Sequence, residues 1–283
     1  MPNAASGRGD LVNSQGREQL LRISPGSAGR NRVLSVRRLS EVQVPLPPLD
    51  EQRRLIAQID AVALKLGKAE QLRHGIQRDS YALLHSVFHR LIEGAEYRPL
   101  AEVAPIVRRP IEIDLDREYE EIGIRSFHKG VFFKCTSAGA DISHKKMFQM
   151  CPSDLVFSNI MAWEGAIAVV RSQDRDRIGV HRFITCVPAS GISDPHFLWF
   201  YFQTVKGFQK IVEASPATIA RNRTLSVKKL EAIEVPVPAF EKQSEFAQLK
   251  AKVDTIRGAH ATGQTELDAL LPAVLDKAFK GNL

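Results

Sequence analysis

Cysteine is scarce in this chain. Three occur in 283 residues, Cys135, Cys151 and Cys186, and no two stand at CxxC spacing. An odd, scattered set argues against a disulfide framework and suits reduced thiols in a cytoplasmic protein. It also leaves too few ligands close together for zinc, so no metal is expected. No apolar run approaches the about 20 residues that span a bilayer, and residues 1–15 contain no apolar stretch of the secretory kind. Catalytic signatures are missing too. There is no GxxxxGK[ST] loop, no GxGxxG after a strand, no Asn/Asp-Pro-Pro-aromatic tetrapeptide and no HExxH. These absences argue against a P-loop motor, an adenosylmethionine site and a zincin, and no cofactor is expected. Pro152-Ser153-Asp154 with Glu164-Gly165-Ala166 faintly echoes a metal-dependent nuclease. That site needs a lysine where Ala166 stands, so it is set aside. His181-Arg182 and His144-Lys145-Lys146 have no carboxylate pair or nucleophile arranged beside them, which suits surface or DNA-facing roles better than catalysis.

What is present is a stretch that occurs twice. Arg30-Asn31-Arg32-Val33-Leu34-Ser35-Val36-Arg37-Arg38-Leu39 returns as Arg221-Asn222-Arg223-Thr224-Leu225-Ser226-Val227-Lys228-Lys229-Leu230, an ungapped offset of 191 residues. Each copy leads to a proline connector, Val44-Pro45-Leu46-Pro47 and Val235-Pro236-Val237-Pro238. One long repeat seen twice points to a duplicated module rather than a solenoid. The net charge is +7, and part of the excess sits on the repeat itself: both basic stretches carry four cations and no acid. Such a balance fits nucleic acid, an anionic membrane or simply a soluble surface.

Taken in order, residues 1–15 are rich in Gly, Ser, Asn and Ala and are expected to be disordered. Residues 16–48 hold the first repeat copy. Upstream of the second copy lies Phe197-Leu198-Trp199-Phe200-Tyr201-Phe202, and nothing like it precedes the first. The first copy is therefore expected to be cut off at its front. After the prolines, acids at Asp50 and Glu51 favour a helix start. Leu55, Ile59, Val62, Leu66, Ala69, Ile76, Leu83 and Val87 alternate by threes and fours, with Arg73 and Ser80 as polar breaks. That is a heptad seam over about 40 residues, or about 60 Å, which favours a coiled-coil strand over an ordinary amphipathic helix. The second helix is expected over 239–283, with Phe246, Val253, Leu270 and Val274 on its seam and Gly258 and Gly263 weakening its middle. It is expected to be four residues shorter than the first. Two such seams would most simply bury each other.

Between the helices, residues 95–238 carry short β-branched and aromatic runs separated by turns, the pattern of a mixed α/β domain. Its charge is polarised. Glu112 to Glu121 holds six acids against Arg117, while Arg125, Lys129, Lys134, Lys145 and Lys146 follow with only Asp141 among them. A basic face of this kind suits phosphates, although a solvated face on a balanced domain would look the same. Candidates on expected loops for DNA contact are Arg108, Arg109, His128, Lys129, Asn159, Trp163, His181 and Arg182, since Arg and Lys suit guanine and Asn suits adenine. Arg221, Asn222 and Arg223 on the second basic stretch are candidates for phosphate.

The repeated Leu-Ser-Val-basic-basic-Leu, the run Val44-Pro45-Leu46-Pro47-Pro48-Leu49-Asp50-Glu51-Gln52-Arg53-Arg54-Leu55-Ile56 and its weaker copy from Leu225 to Gln243 resemble the specificity (S) subunit of type I restriction-modification enzymes. Ser153-Asp154-Leu155-Val156-Phe157-Ser158 also looks like part of a target-recognition domain of that family. The resemblance covers about Gly16 to the end. It implies an α+β protein in which a mixed α/β target-recognition domain is flanked by two long helices forming an antiparallel coiled coil. It implies residues 16–48 as the remnant of a first recognition domain, 49–94 as the first conserved helix, and 239–283 as the second. It further implies a non-catalytic subunit that binds double-stranded DNA, reads a half-site through residues about 97–220 and docks methylation (M) subunits on its helices, with restriction (R) subunits joining through them. Because the family pattern has two recognition domains, another S-subunit chain could supply the missing one. A coiled-coil scaffold whose middle domain binds protein is the alternative.

Overall fold

The computed structural model describes residues 18, 21–24, 34, 36–40, 42, 47–219 and 222–279. Its contacts divide into two compact units, residues 1–81 with 253–283, and residues 82–252. Arg30 to Arg32, Ser35 and the prolines of the first connector up to Leu46 lie outside the described residues, as does the expected disordered start.

The first unit is built on helices. A single turn, α1 (Val36–Leu39), precedes the long helix α2 (Leu49–Ile92). Asp50 and Glu51 occupy the first turn of α2, where orphan amides and the macrodipole favour anions. Gln52 donates its side-chain N–H to the Pro47 carbonyl at 2.7 Å, tying the helix start to the proline connector. Leu55, Ile59, Val62, Leu66, Ala69 and Arg73 form the half-buried stripe of α2. On the returning helix α8 (Phe240–Phe279), Gly263 faces Arg73, whose guanidinium lies 3.8 Å from where a Cβ on Gly263 would sit. The arginine thus falls on the seam rather than interrupting it. The helices are 44 and 40 residues long, and α8 runs unbroken through Gly258, Gly263 and Pro272.

The seam departs from its expected path near the end of α2. Leu83 is 47% exposed and Ile76 40%, while Leu84 is 2% and Phe88 0% exposed. A straight helix drifts by about 20° per heptad against a strict seven-residue repeat, so the inward face passes from position 83 to 84. Leu270 is likewise 45% exposed; Leu271, Val274 and Leu275 are half-buried.

The second unit holds the sheets. Four strands, β2 (Glu118–Ile124), β3 (Val131–Ala138), β4 (Met147–Gln149) and β7 (Ile178–Val180), form one sheet in the order β3-β2-β7-β4. Only the β2–β7 pair is parallel. Three antiparallel strands, β5 (Leu155–Ser158), β6 (Ile167–Val169) and β8 (Phe183–Cys186), form the other in the order β6-β5-β8. Strands β5, β6 and β8 are buried throughout, which is why they appear in the sequence as continuous apolar runs. The core between the sheets is Ile122, Val131, Met150, Val156, Ala168, Val170 and Phe183.

Two single turns, α3 (Leu100–Val103) and α4 (Gly139–Ile142), lie before β2 and after β3. Helix α5 (Pro195–Tyr201) packs on β5 and β6 of the three-stranded sheet, and helix α6 (Val205–Ala214) packs on the turn Ala162–Glu164 that follows β5. Asp194 caps α5 by accepting from the His196 and Phe197 amides, and Thr204 caps α6. Chain entry and exit are zipped together: β1 (Tyr97–Pro99) pairs with β11 (Glu234–Pro236), Tyr97 opposite Pro236. At that neck Phe88 of α2, Phe197 and Phe200 of α5, and Phe246 of α8 form one aromatic cluster with centroids 4.9–6.2 Å apart. Gln243, fully buried, donates to the Pro238 and Ile192 carbonyls and accepts from the Asp194 amide. Its bond to Pro238 repeats that of Gln52 to Pro47, 191 residues earlier. The facing of Phe88 with Phe246, and of the earlier Arg73 with the later Gly263, gives α2 and α8 opposite senses.

The two repeat copies differ in their surroundings. Leu225 and Leu230 are buried at 1% and 0%, while their counterparts Leu34 and Leu39 are 45% and 40% exposed. In the second copy Ser226 caps the short helix α7 (Val227–Glu231), and its amide donates to the Ala214 carbonyl of α6.

Candidate nucleic-acid interface

Strand register gathers the basic loops. Strand β2 ends at Ile124 and runs into the connection 125–130. Glu121 pairs in parallel with Ile178, so the end of β2 lies level with His181 and Arg182 after β7. Met147 pairs with Val180, which sets Lys145 and Lys146 against the same end, and the His181 amide donates to the Lys146 carbonyl at 3.1 Å. The acids Glu112, Asp114 and Asp116 precede β2 and so belong to its other end, about 20 Å away at 3.3 Å per residue. Two acids within the strand are paired, Glu121 inside the fold and Glu120 at its surface. Glu121, 2% exposed, takes Lys134 at 2.7 Å and Ser137 at 2.6 Å. Glu120 takes Arg177 at 2.7 Å.

The second sheet presents its loops at the same rim. Ser158 pairs with Phe183, so Asn159 and Arg182 flank one strand end, and the Asn159 amide donates to the Arg182 carbonyl at 2.8 Å. The Asn159 carbonyl accepts from the Leu225 amide at 2.7 Å, which draws in β10 (Asn222–Arg223), paired with β9 (Ala217–Ile219). The Arg223 guanidinium stands 5.6 Å from the Trp163 ring. The connection 125–130 closes the circuit, since Phe127 and His128 donate their amides to the Glu164 and Gly165 carbonyls at 2.7 and 2.8 Å. Within segments 125–130, 143–146, 159–165, 181–182 and 222–225, Glu164 is the one acid in the sequence. Its carboxylate accepts from the Ser126 hydroxyl at 3.2 Å.

The expected site residues separate into two groups. Arg125, Lys129, Lys145, Lys146, His181 and Arg182 are exposed on this rim, with Asn159 and Arg223 half-buried among them. Arg108 reaches it by donating to the His181 and Phe183 carbonyls at 3.0 Å and stacking over Phe148. Arg109 and His128 are engaged inside the domain. Arg109 makes a two-pronged ion pair, at 2.7 and 3.1 Å, with the buried Asp154, and the carboxylate holds its guanidinium above the usual arginine range. Asp154, part of the set-aside nuclease echo, is thereby occupied. His128 turns inward against Phe208, and burial pushes its imidazole below the ordinary histidine range. It lies under Gly165, where a Cβ would come within 2.8 Å of Nε2; only glycine fits there, at φ 78°. Arg221 lies outside the described residues, as does the side chain of Asn222. Sequence reasoning missed Phe127, 71% exposed on the same rim. A lone phenylalanine between polar residues has no periodicity to mark it.

Neither family models nor curated protein sequences match this chain. Solved structures do. The HsdS subunit from Thermoanaerobacter tengcongensis aligns at 21% identity with a TM-score of 0.57, over 97% of this chain and 69% of that one. A structure reported for complex assembly and conformational transition of the type I R-M system aligns at 19% identity with a TM-score of 0.59, over 94% of this chain and 68% of that one. The chain has the HsdS fold. In that fold the Pro-x-Pro connector and the Gln five residues beyond it find their physical role. Gln243 and the β1–β11 zipper anchor the start of the HsdS-like helix α8 to the sheet domain. No helix among the described residues is long and apolar enough to cross a membrane.

Proposed function

We propose that this chain is a DNA-binding specificity subunit of a type I restriction-modification complex, reading one half-site through the rim of its sheet domain. The observation that carries the reading is the register-driven gathering of Arg125, Lys129, Lys145, Lys146, Arg182 and Arg223 at one end of both sheets. Glu112, Asp114 and Asp116 lie at the other end, Glu121 is neutralised inside the fold, and Glu164 is the one acid within the rim segments. Such a rim supplies the phosphate affinity that positions a protein on a duplex, and the loops between the cations supply base contacts. The chain performs no chemistry itself in this reading. Methylation (M) subunits dock on α2 and α8, and restriction (R) subunits join through them. Leu49, Ile56, Leu64 and Leu72, exposed on α2, support a partner-binding role for that helix.

Fluorescence anisotropy with duplex DNA tests this reading. Binding should weaken steeply with salt. Lys146→Ala and Arg182→Ala should each reduce affinity for all sequences alike and lower the log–log salt slope by about 1. Binding that is flat against salt, or absent while protein partners still co-purify, would identify a scaffold whose middle domain binds protein.

A further inference from the structure

The connection 125–130 is built in a way that joining two strands does not require. Phe127 and His128 both hold left-handed φ values, 60° and 55°, which side-chain-bearing residues rarely adopt. Phe127 also leaves 71% of its surface in water. Both costs persist because the surroundings over-determine the turn. The Phe127 and His128 amides are fixed to the Glu164 and Gly165 carbonyls, the Arg125 amide to the Gly130 carbonyl, and the His128 ring is wedged under Gly165 and against Phe208. The result is a rigid turn that presents an aromatic ring. Cations flank it: Arg125 stacks over Phe132 at 4.7 Å, and the Lys129 ammonium stands 5.9 Å from the Phe127 ring itself. An apolar tip between cations suits a surface that is anionic at its edges and apolar in its floor.

Such a surface is the major groove, which admits a two-stranded ribbon such as β2–β3 and whose floor carries one apolar group, the thymine C5-methyl. We propose that Phe127 is a specificity-determining residue that packs on a thymine methyl in the major groove of duplex DNA, with Arg125 and Lys129 on the flanking phosphates. This rests on the DNA-recognition reading above. A phenyl ring has neither donor nor acceptor, so it discriminates by fit to the methyl alone. Wedges that unstack base steps enter instead from the minor groove.

The test uses the full chain and two randomised duplex pools, one synthesised with thymidine and one with deoxyuridine, which lacks the methyl. Wild type should enrich thymine at one position of the first pool. That preference should fall by about 4-fold in the second pool, the worth of one buried methyl group. Phe127→Ala should lose the preference in the thymidine pool and be indifferent to the exchange, with the salt slope of nonspecific binding unchanged. Phe127→Leu should keep part of it. An equal response of wild type and Phe127→Ala to methyl loss overturns the proposal and leaves DNA recognition standing. Absence of any sequence preference in wild type overturns the underlying reading. A fall in duplex bending in Phe127→Ala, without thymine dependence, also overturns the proposal and marks a wedge.

Discussion

At the scale of single residues, the domain spends several of its charges on itself. Asp154 is 2% exposed and receives Arg109 and the Cys151 amide. Removing the arginine alone leaves a buried carboxylate without its cation, which costs about 3 kcal/mol. Arg109→Ala should therefore lower the unfolding free energy by that amount, read as a lower denaturant midpoint at unchanged m-value, and Arg109→Ala/Asp154→Ala should recover part of it. A single variant as stable as wild type would return Arg109 to the pool of free cations. His128 makes a pH prediction. Burial holds its folded pKa below the unfolded value of about 6.5. Between the two values the unfolded chain binds a proton that the folded chain refuses, so stability is full above about pH 6.5 and declines as pH falls toward the folded pKa. His85, lowered by burial and then by His89, adds to the same slope. Thermal melts from pH 7.5 to 5.5 should show this decline, and His128→Phe should flatten part of it.

At the scale of elements, the long helices tolerate residues that usually end helices. A methyl group added to Gly67, Gly75 or Gly258 would have nothing within 4 Å of it, so a side chain there meets open space. Each glycine in a helix interior gives up about 1 kcal/mol relative to alanine. Gly75→Ala and Gly258→Ala should each raise the melting temperature, and the pair should add, since they lie on different helices. A loss of stability in either would mean that the position is covered. The repeat acts at this scale as well. Gln52 and Gln243 make the same bond to the carbonyl five residues upstream, so the Pro-to-Gln run is a helix-starting device used twice. The second copy alone adds bonds to Ile192 and Asp194.

At the scale of the whole molecule, the sequence alone made legible the division into long helices and an intervening mixed domain. Heptad spacing, proline connectors and apolar strand runs are local patterns imposed by fixed backbone periods. It also determined the four-residue difference in helix length, since the repeat offset drops from 191 to 187 between its two ends. Strands of three residues, such as β4 and β7, were illegible because so short a stretch carries no period, and only pairing defines it. Which cations share a surface was decided by tertiary structure alone. Lys146, Arg182 and Arg223 lie far apart in the chain, and strand register sets them at one rim. Arg109 and Arg108 are adjacent in sequence, yet one enters an ion pair with a buried carboxylate and the other caps carbonyls at the rim. Composition supplies the charges. Register and burial, which depend on contacts between distant residues, decide where each charge is spent.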